Sequence, residues 1–415
     1  MPDSGPTRGE LEQCAHEALL WIRSVALDVD GGLGWREDGQ LSDDLYSGTA
    51  GVLLGCAEAA AYGVWRRDVA AGAVSRLLHL LARDRQSPTL PDDGVFSGWA
   101  GVVVALHAWS QVAGDARAAA GASEAAAGIA GRVLQAAPDP ARCTDVISGD
   151  AGLLLALLTD GSPVALAAVE ALADHLVAAA EPGPDGLQWR MTPDGESLMP
   201  GFSHGTAGVG YALARAGDVL GRPDLVKVAA RGAQSLLALG SSPDGWALPT
   251  QVPTKPGRPL VSFGWCHGPT GTARLFLALD AIDPQPRWQQ AADACLTSIA
   301  DSGLPARRHA GFWDNLARCC GSAGVGQLLL DRHRATGDPA SLALAGVLAA
   351  DVVSRAVRTP DGVCWSNTEH TRDPAELAPE PGYMQGAAGI VGWLARLHAT
   401  TAPGPASRRP EPSWV

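Results

Sequence analysis

The pattern Gly-x-x-Gly recurs seven times in register along this chain, and a repeat of that length leaves few folds open. The copies are Ser47-Gly48-Thr49-Ala50-Gly51, Ser97-Gly98-Trp99-Ala100-Gly101, Ser148-Gly149-Asp150-Ala151-Gly152, His204-Gly205-Thr206-Ala207-Gly208, His267-Gly268-Pro269-Thr270-Gly271, Cys320-Gly321-Ser322-Ala323-Gly324 and Gln385-Gly386-Ala387-Ala388-Gly389. The period, about 50 to 65 residues, runs nearly end to end through 415 residues and points to one repeat architecture rather than several unrelated domains.

Each signature opens a short run that is apolar on nearly every face: 52–63, 102–114, 153–161, 209–217, 272–282, 325–337 and 390–400. Such runs read as helices buried all round. Between them lie Ala-rich stretches with one polar side, at 11–27, 66–84, near 116–136, 164–180, 225–239, 287–301 and 339–357. These read as helices with one solvated face. Alternation of the two kinds predicts an all-α fold, an (α/α)7 double barrel or toroid with seven outer and seven inner helices. One domain is expected over 10–400, and the polar, Pro-rich ends 1–9 and 402–415 are expected to be disordered tails.

A formal net charge of −13 argues against a nucleic-acid footprint, because phosphate binding needs clustered Lys and Arg. No run approaches the ~18 uninterrupted apolar residues of a membrane helix, and the N-terminus carries no basic-then-apolar signal, so a cytoplasmic protein without a membrane segment is expected. Eight cysteines without short-range pairing then read as reduced thiols or metal ligands. Cys14, Cys56 and Cys295, set among Ala and Leu, are expected to be small buried hydrophobes.

A second motif joins an Asp-Gly turn to a tryptophan: Asp30-Gly31 with Trp35, Asp185-Gly186 with Trp189, Asp244-Gly245-Trp246, and Asp361-Gly362 with Trp365. It reads as a short hairpin strap over the mouth of the toroid. Its tryptophans either cover helix ends or line a peptide-binding rim. Glycine at the start of every inner helix allows a tight turn and close approach between crowded helices. The residue before the first glycine then stands at a helix N-terminus, where the macrodipole favours anions such as a thiolate.

Chemistry is concentrated in the fifth and sixth copies, Trp265-Cys266-His267-Gly268 and Arg318-Cys319-Cys320-Gly321. Three cysteines in the loops of adjacent repeats would be neighbours in space. Zinc is the metal expected for thiolates in a tetrahedral site, and Cys266, Cys319 and Cys320 would leave its fourth position open. Unliganded loop thiols or a redox pair are the alternative, and His267 could displace one cysteine within a zinc site.

The repeat and these loop motifs resemble the lanthionine synthetase C-like (LanC-like) cyclases, over about residues 11–399. The resemblance implies a seven-fold double α-barrel with zinc at its mouth. It implies closure of lanthionine and methyllanthionine rings, by addition of a cysteine thiol to dehydroalanine or dehydrobutyrine in a ribosomally made precursor peptide. Cys266 and Cys319 correspond to zinc ligands, and Cys320 falls where many members have histidine, as in the three-cysteine subset. Three anionic ligands should leave a bound thiolate more reactive, so a faster cyclase is expected. His204 corresponds to the proton-transfer histidine, with capping or packing as the alternative, and Asp145 to an acidic residue that orients an imidazole, with a structural loop role as the alternative. Ser262 stands at the offset of the family's arginine, so Arg258, four residues earlier, is the nearest candidate substrate contact. His267 takes the place of a frequent tyrosine and is a second candidate contact.

A toroid that uses the whole chain leaves no room for a dehydratase, so a separate dehydratase or kinase/lyase partner acting in trans on the precursor is expected. Glutathione addition to dehydroamino acids in proteins is an alternative within the family. A non-catalytic, zinc-containing peptide-binding scaffold is an alternative from another class. A glycan-processing α-toroid would need paired carboxylates where these loops offer sulfur and imidazole.

Overall fold

The computed structural model describes residues 5–83, 89–137, 139, 141–240, 246–255, 261–307, 312–368 and 373–402. Among them are fourteen helices, alternating as the periodicity predicts: α1 (Arg8–Ser24), α2 (Thr49–Ala61), α3 (Arg67–Ala82), α4 (Trp99–Ala113), α5 (Ala116–Gln135), α6 (Asp150–Asp160), α7 (Pro163–Ala178), α8 (Thr206–Leu220), α9 (Pro223–Leu239), α10 (Pro269–Ile282), α11 (Pro286–Asp301), α12 (Ser322–Thr336), α13 (Pro339–Ser354) and α14 (Ala387–Thr400). Two compact units are distinguished, Met1–Pro91 with Val104–Ala122 and Leu304–Val415, and Asp92–Val103 with Ser123–Gly303. In the first, α2 packs on α3, α12 on α13, and α14 on both α1 and α2. In the second, α6 packs on α7, α8 on α9 and α10 on α11.

The two helix classes differ in burial as their sequences require. In α2 every residue but Ala61 is buried, whereas α9 buries the stripe Leu225, Val226, Ala229, Gly232, Ala233, Ser235 and Leu236. Three links between paired helices share Gly-x-Pro punctuation. Gly161, Gly221 and Gly337 end α6, α8 and α12 in the left-handed region at φ 65°, 63° and 72°, and Pro163, Pro223 and Pro339 begin the next helix two residues later. At the N-terminus α1 starts at Arg8, inside the stretch read as a tail, because Thr7 and Glu10 form a capping box. Residues 1–4 and 403–415 lie outside the described residues.

Inner helices begin about three residues earlier than the apolar runs, so that the first glycine of the signature is the N-cap, as at Gly48, Gly149, Gly205, Gly268, Gly321 and Gly386. None of these six has positive φ, so space rather than conformational freedom selects glycine. A Cβ on Gly149, Gly205, Gly268, Gly321 or Gly386 would stand 1.5–2.5 Å from the carbonyl oxygen six residues upstream. The second glycine is as tightly held: a Cβ on Gly208, Gly271 or Gly389 would lie 2.0 Å from the oxygen of Phe202, Trp265 or Tyr383. Each loop therefore folds back beneath its own helix. Its carbonyls take up helix N–H groups that would otherwise be orphaned, as in Asp150 N to Cys143 O at 2.9 Å, Ala207 N to Pro200 O at 3.1 Å and Ala323 N to Leu316 O at 3.0 Å.

Three of the Asp-Gly motifs form antiparallel hairpins. They are β1 (Leu27–Val29) with β2 (Gly32–Glu37), extended by β3 (Gln40–Ser42); β4 (Glu181–Gly183) with β5 (Gly186–Gln188); and β6 (Val357–Thr359) with β7 (Gly362–Cys364). Trp35, Trp189 and Trp365 are buried, and each indole Nε1 donates to the carbonyl thirteen residues earlier, on Ile22, Leu176 and Val352 at 2.8, 2.7 and 2.9 Å. They seal the ends of α1, α7 and α13, which decides against a peptide-binding rim made of these three rings. The turns pack on helix backbone: a Cβ on Gly32 would meet Gly72 O of α3, one on Gly186 Arg231 O of α9, and one on Gly362 Glu17 O of α1. Asp244 and Gly245 of the remaining copy lie outside the described residues.

Candidate metal centre

The loops before the inner helices are tied to one another by main-chain hydrogen bonds at the residue two places before the first glycine. Phe96 N donates to Ile147 O and Ser203 N to Cys266 O, each at 3.0 Å; Cys319 N donates to Met384 O at 2.9 Å and Met384 N to Tyr46 O at 2.8 Å. Cys266 and Cys319 both occupy this cross-linked position. Behind Cys266 the buried Trp265 ring packs on Phe96 and Phe202, at 5.6 and 5.3 Å between centroids. Behind Cys319 the buried Arg318 bonds Glu58 Oε1 at 2.6 Å and Tyr383 Oη at 2.5 Å. A paired guanidinium in an apolar interior fixes the loop, because losing either partner would strand a buried charge.

Cys266, Cys319 and Cys320 form a group whose ligand atoms all lie within 4.8 Å of one another, and among the described residues it is the one group of three His, Cys, Asp or Glu side chains that does so. The sulfurs of Cys319 and Cys320 are 3.5 Å apart, and none of the three cysteines is in a disulfide. Two sulfurs on one tetrahedral zinc at ~2.3 Å stand about 3.8 Å apart, so the donor set fits a zinc ion in softness and in spacing. Cys14, Cys56 and Cys295 lie buried within α1, α2 and α11, and burial raises their thiols, the first two to about 11 and about 12. They are packing residues.

A polar network that the sequence did not reveal meets this sulfur pair. Gln385 Nε2 lies 3.1 Å from Tyr46 Oη and 3.9 Å from Cys320 Sγ, while Asn315 Nδ2 donates to Gln385 Oε1 at 2.8 Å. Burial, and then the neighbouring Cys319 and Cys320, pushes the Tyr46 phenol above its ordinary range. The only sequence signal was that the seventh signature carries glutamine where three others carry serine.

His204 and Asp145 come together. Imidazole Nδ1 is 2.6 Å from Asp145 Oδ2, and Asp145 is fully buried. The other carboxylate oxygen, Oδ1, accepts from Ser148 N and Gly149 N at 2.9 Å each. Asp145 thus bonds its own loop through one oxygen and the His204 imidazole through the other. The His267 ring lies beside that of His204, 5.9 Å between centroids and tilted by 33°. Ser262 turns into its own loop, its Oγ accepting from Gly264 N at 3.3 Å. Arg258 lies outside the described residues. No helix among the described residues is long and apolar enough to cross a membrane.

By sequence, residues 39–404 match the family described as lanthionine synthetase C-like protein. No curated protein matches the chain. Among solved structures, nisin cyclase is similar at TM-score 0.66 and 14% identity, covering 94% of each chain. A D-mannose isomerase (TM-score 0.55, 12% identity, 96% of this chain and 100% of that one) and an unsaturated glucuronyl hydrolase specific for heparin (0.51, 10%, 95% and 96%) are also similar. At these identities the likeness carries the fold, an α/α toroid. That the fold is shared by a cyclase, an isomerase and a hydrolase leaves the chemistry to the site. With the family matched over most of its length, the chain belongs to the lanthionine synthetase C-like family.

Proposed function

We propose that this protein is a zinc-dependent cyclase that closes lanthionine or methyllanthionine rings in a dehydrated ribosomal precursor peptide, with dehydration supplied by a separate enzyme and one LanC-like domain spanning 10–400. The observation that carries this reading is the all-sulfur donor set of Cys266, Cys319 and Cys320, within 4.8 Å of one another, in a chain of this family. Zinc held there would supply an open coordination position at which a peptide thiol loses its proton near neutral pH.

The protein's own groups would manage the proton. Sulfur adds to Cβ of the dehydroamino acid, a C–S bond forms as the C=C π pair moves toward the carbonyl, and the resulting enolate takes a proton at Cα. His204 has Nδ1 committed to Asp145, which leaves Nε2 for that transfer. The buried carboxylate favours an imidazole that can gain and lose a proton without turning. His267 would contact the peptide from beside His204, and Arg258 is retained as a second substrate contact. A sugar-processing role is disfavoured, because the clustered donors are thiols and imidazoles rather than paired carboxylates.

The test uses a peptide with one dehydroalanine and one cysteine, incubated with zinc-loaded protein and glutathione, then alkylated and weighed by mass spectrometry. Cyclisation leaves the mass unchanged and the thiol unreactive. A gain of glutathione's mass would favour the other enzymatic reading, and unaltered, fully alkylated peptide would favour the scaffold.

A further inference from the structure

Asp150 is a charge at a place where the other copies of the signature are neutral. The residue after the first glycine is Thr49, Trp99, Thr206, Pro269, Ser322 or Ala387 elsewhere, and aspartate only in the third copy, where it begins α6. Asp150 is 1% exposed, so its charge has to be paired. Arg142, eight residues earlier, supplies the pair: Nε donates to Oδ1 and Oδ2 at 3.0 and 3.2 Å, and Nη2 donates to Oδ1. From α7, His175 Nδ1 stands 2.6 Å from Asp150 Oδ2.

Between Arg142 and Asp150 runs the loop that carries Asp145. Its main chain lies on the first turn of α6, with Cys143 O accepting from Asp150 N at 2.9 Å, Thr144 O from Ala151 N at 3.3 Å and Asp145 O from Gly152 N at 3.1 Å. On one side Val146 N ties it to the His204 loop, donating to Ser203 O at 3.0 Å. On the other, Arg142, Cys143, Ser148 and Asp150 border a cleft of about 300 Å³, so this face of the loop meets space rather than packed side chains. The two amide bonds of Asp145 do not require the bridge. Asp44 in the first copy makes the same pair, from Ser47 N at 2.9 Å and Gly48 N at 3.1 Å, with neutral Thr49 in the place of Asp150. What distinguishes the third copy is the other oxygen of its aspartate, Asp145 Oδ2, which holds an imidazole.

We propose that Asp150 is a positioning residue for His204: by joining Arg142 to His175 it clamps both ends of the loop 142–149 against α6 and α7, and so fixes Asp145 where it holds the imidazole. The inference rests on the proton-transfer role proposed above for His204. Its first physical reason is geometry. At 2.6 Å the bond between His204 and Asp145 has little slack, and moving the carboxylate by ~1 Å would take it past hydrogen-bonding range. The second reason is charge. Asp145 and Asp150 are two buried carboxylates five residues apart, and like charges disfavour each other's ionised form. The Arg142 guanidinium offsets that repulsion, which keeps Asp145 an anion able to accept from His204 Nδ1.

The experiment compares zinc-loaded, full-length wild type with Asp150→Asn and Arg142→Lys, by steady-state ring closure, thermal melting and NMR of protein labelled with 15N-histidine. The Nδ1–H resonance of His204, assigned by its loss in His204→Asn, reports the bond to Asp145 without any turnover. Asp150→Asn keeps the shape and removes the charge. Its kcat should fall about 10-fold with KM changed by less than about twofold, because the acid is misplaced while peptide binding is not. The His204 resonance should move upfield and exchange faster with water. Arg142→Lys keeps a cation without the planar fork and should lie between the two in both measurements; as the milder change it carries the test alone if Asp150→Asn does not fold. A clamp that is only structural would lower the melting temperature and leave kcat per folded molecule and the resonance unchanged, which would overturn the proposal. A resonance that shifts in Asp150→Asn, beside a wild type that closes no rings, would uphold the positioning of His204 and overturn the cyclase reading instead.

Discussion

Asp145 bonds His204 Nδ1 at 2.6 Å through one carboxylate oxygen and the amides of Ser148 and Gly149 at 2.9 Å through the other. A residue near the third signature thus aims the imidazole of the fourth, and it is itself held by the start of α6. The pair converts a loop histidine into one with a single available nitrogen.

Replacing His204 by Asn is expected to slow ring closure by roughly 10²–10⁴-fold with zinc content and fold retained. Asp145→Asn keeps an acceptor for the two amides but loses the charge that orients the ring, so a loss near ~10²-fold is expected, again with the fold retained. Rates on a dehydrated peptide and thermal melts of both variants check this. Normal rates with a lowered melting temperature would make His204 a packing residue.

Cys320→Ala is expected to lose most of the bound zinc while the helices persist, because the core of α12 is built from Val325, Leu328, Leu329 and Leu330 rather than from the loop. Metal analysis beside far-ultraviolet circular dichroism measures both. Full zinc in this variant would contradict the three-cysteine site.

The repeat made the fold legible, because seven glycine pairs mark seven inner helices and the stretches between them carry a polar side. Substitutions at the position before the first glycine, where Ser gives way to His and Cys, marked His204, His267 and Cys320. The apolar runs begin about three residues inside the helices because the Thr, Ser and Gly of the first turns are not apolar side chains, yet they are buried. The Gln385, Tyr46 and Asn315 network could not be read, since its members come from three separate loops and each residue type is ordinary in any loop. The Trp motif was legible as a hairpin, but only the indole bonds to Ile22, Leu176 and Val352 decide what the rings do.

Gly271→Ala should cost about 3 kcal/mol, since the new Cβ would stand 2.0 Å from Trp265 O and 2.5 Å from Phe202 Cβ with main chain on one side. The Cys266 loop would be displaced with it. Gly131→Ala in α5, where a Cβ meets nothing within 4 Å, should instead stabilise by roughly 0.5–1 kcal/mol. Denaturant unfolding of the two variants compares them directly. Equal effects would mean that the glycines are not selected by space.

Glu380 is held at a pKa of about 7 rather than 4.5, chiefly by burial and then by Glu37 and Asp38, while the Asp38 N–H acts the other way. Between those values the folded chain keeps a proton that the unfolded chain has released, so stability is full below about 4.5 and falls as pH rises through 7. Glu380→Gln should therefore melt with wild type at low pH and above it at pH ~8. A melting difference that does not grow across this window would contradict the shift.

The central claim is catalysis by the metal-loaded protein, and it is tested most directly by the loss of alkylatable thiol over time. A peptide in large excess, carrying one cysteine and one dehydroalanine, is incubated with zinc-loaded or metal-free protein and alkylated after quenching. Multiple turnovers are expected with zinc, at unchanged peptide mass, and only slow background closure without it. A peptide that binds tightly yet stays fully alkylatable in the presence of zinc would contradict the account.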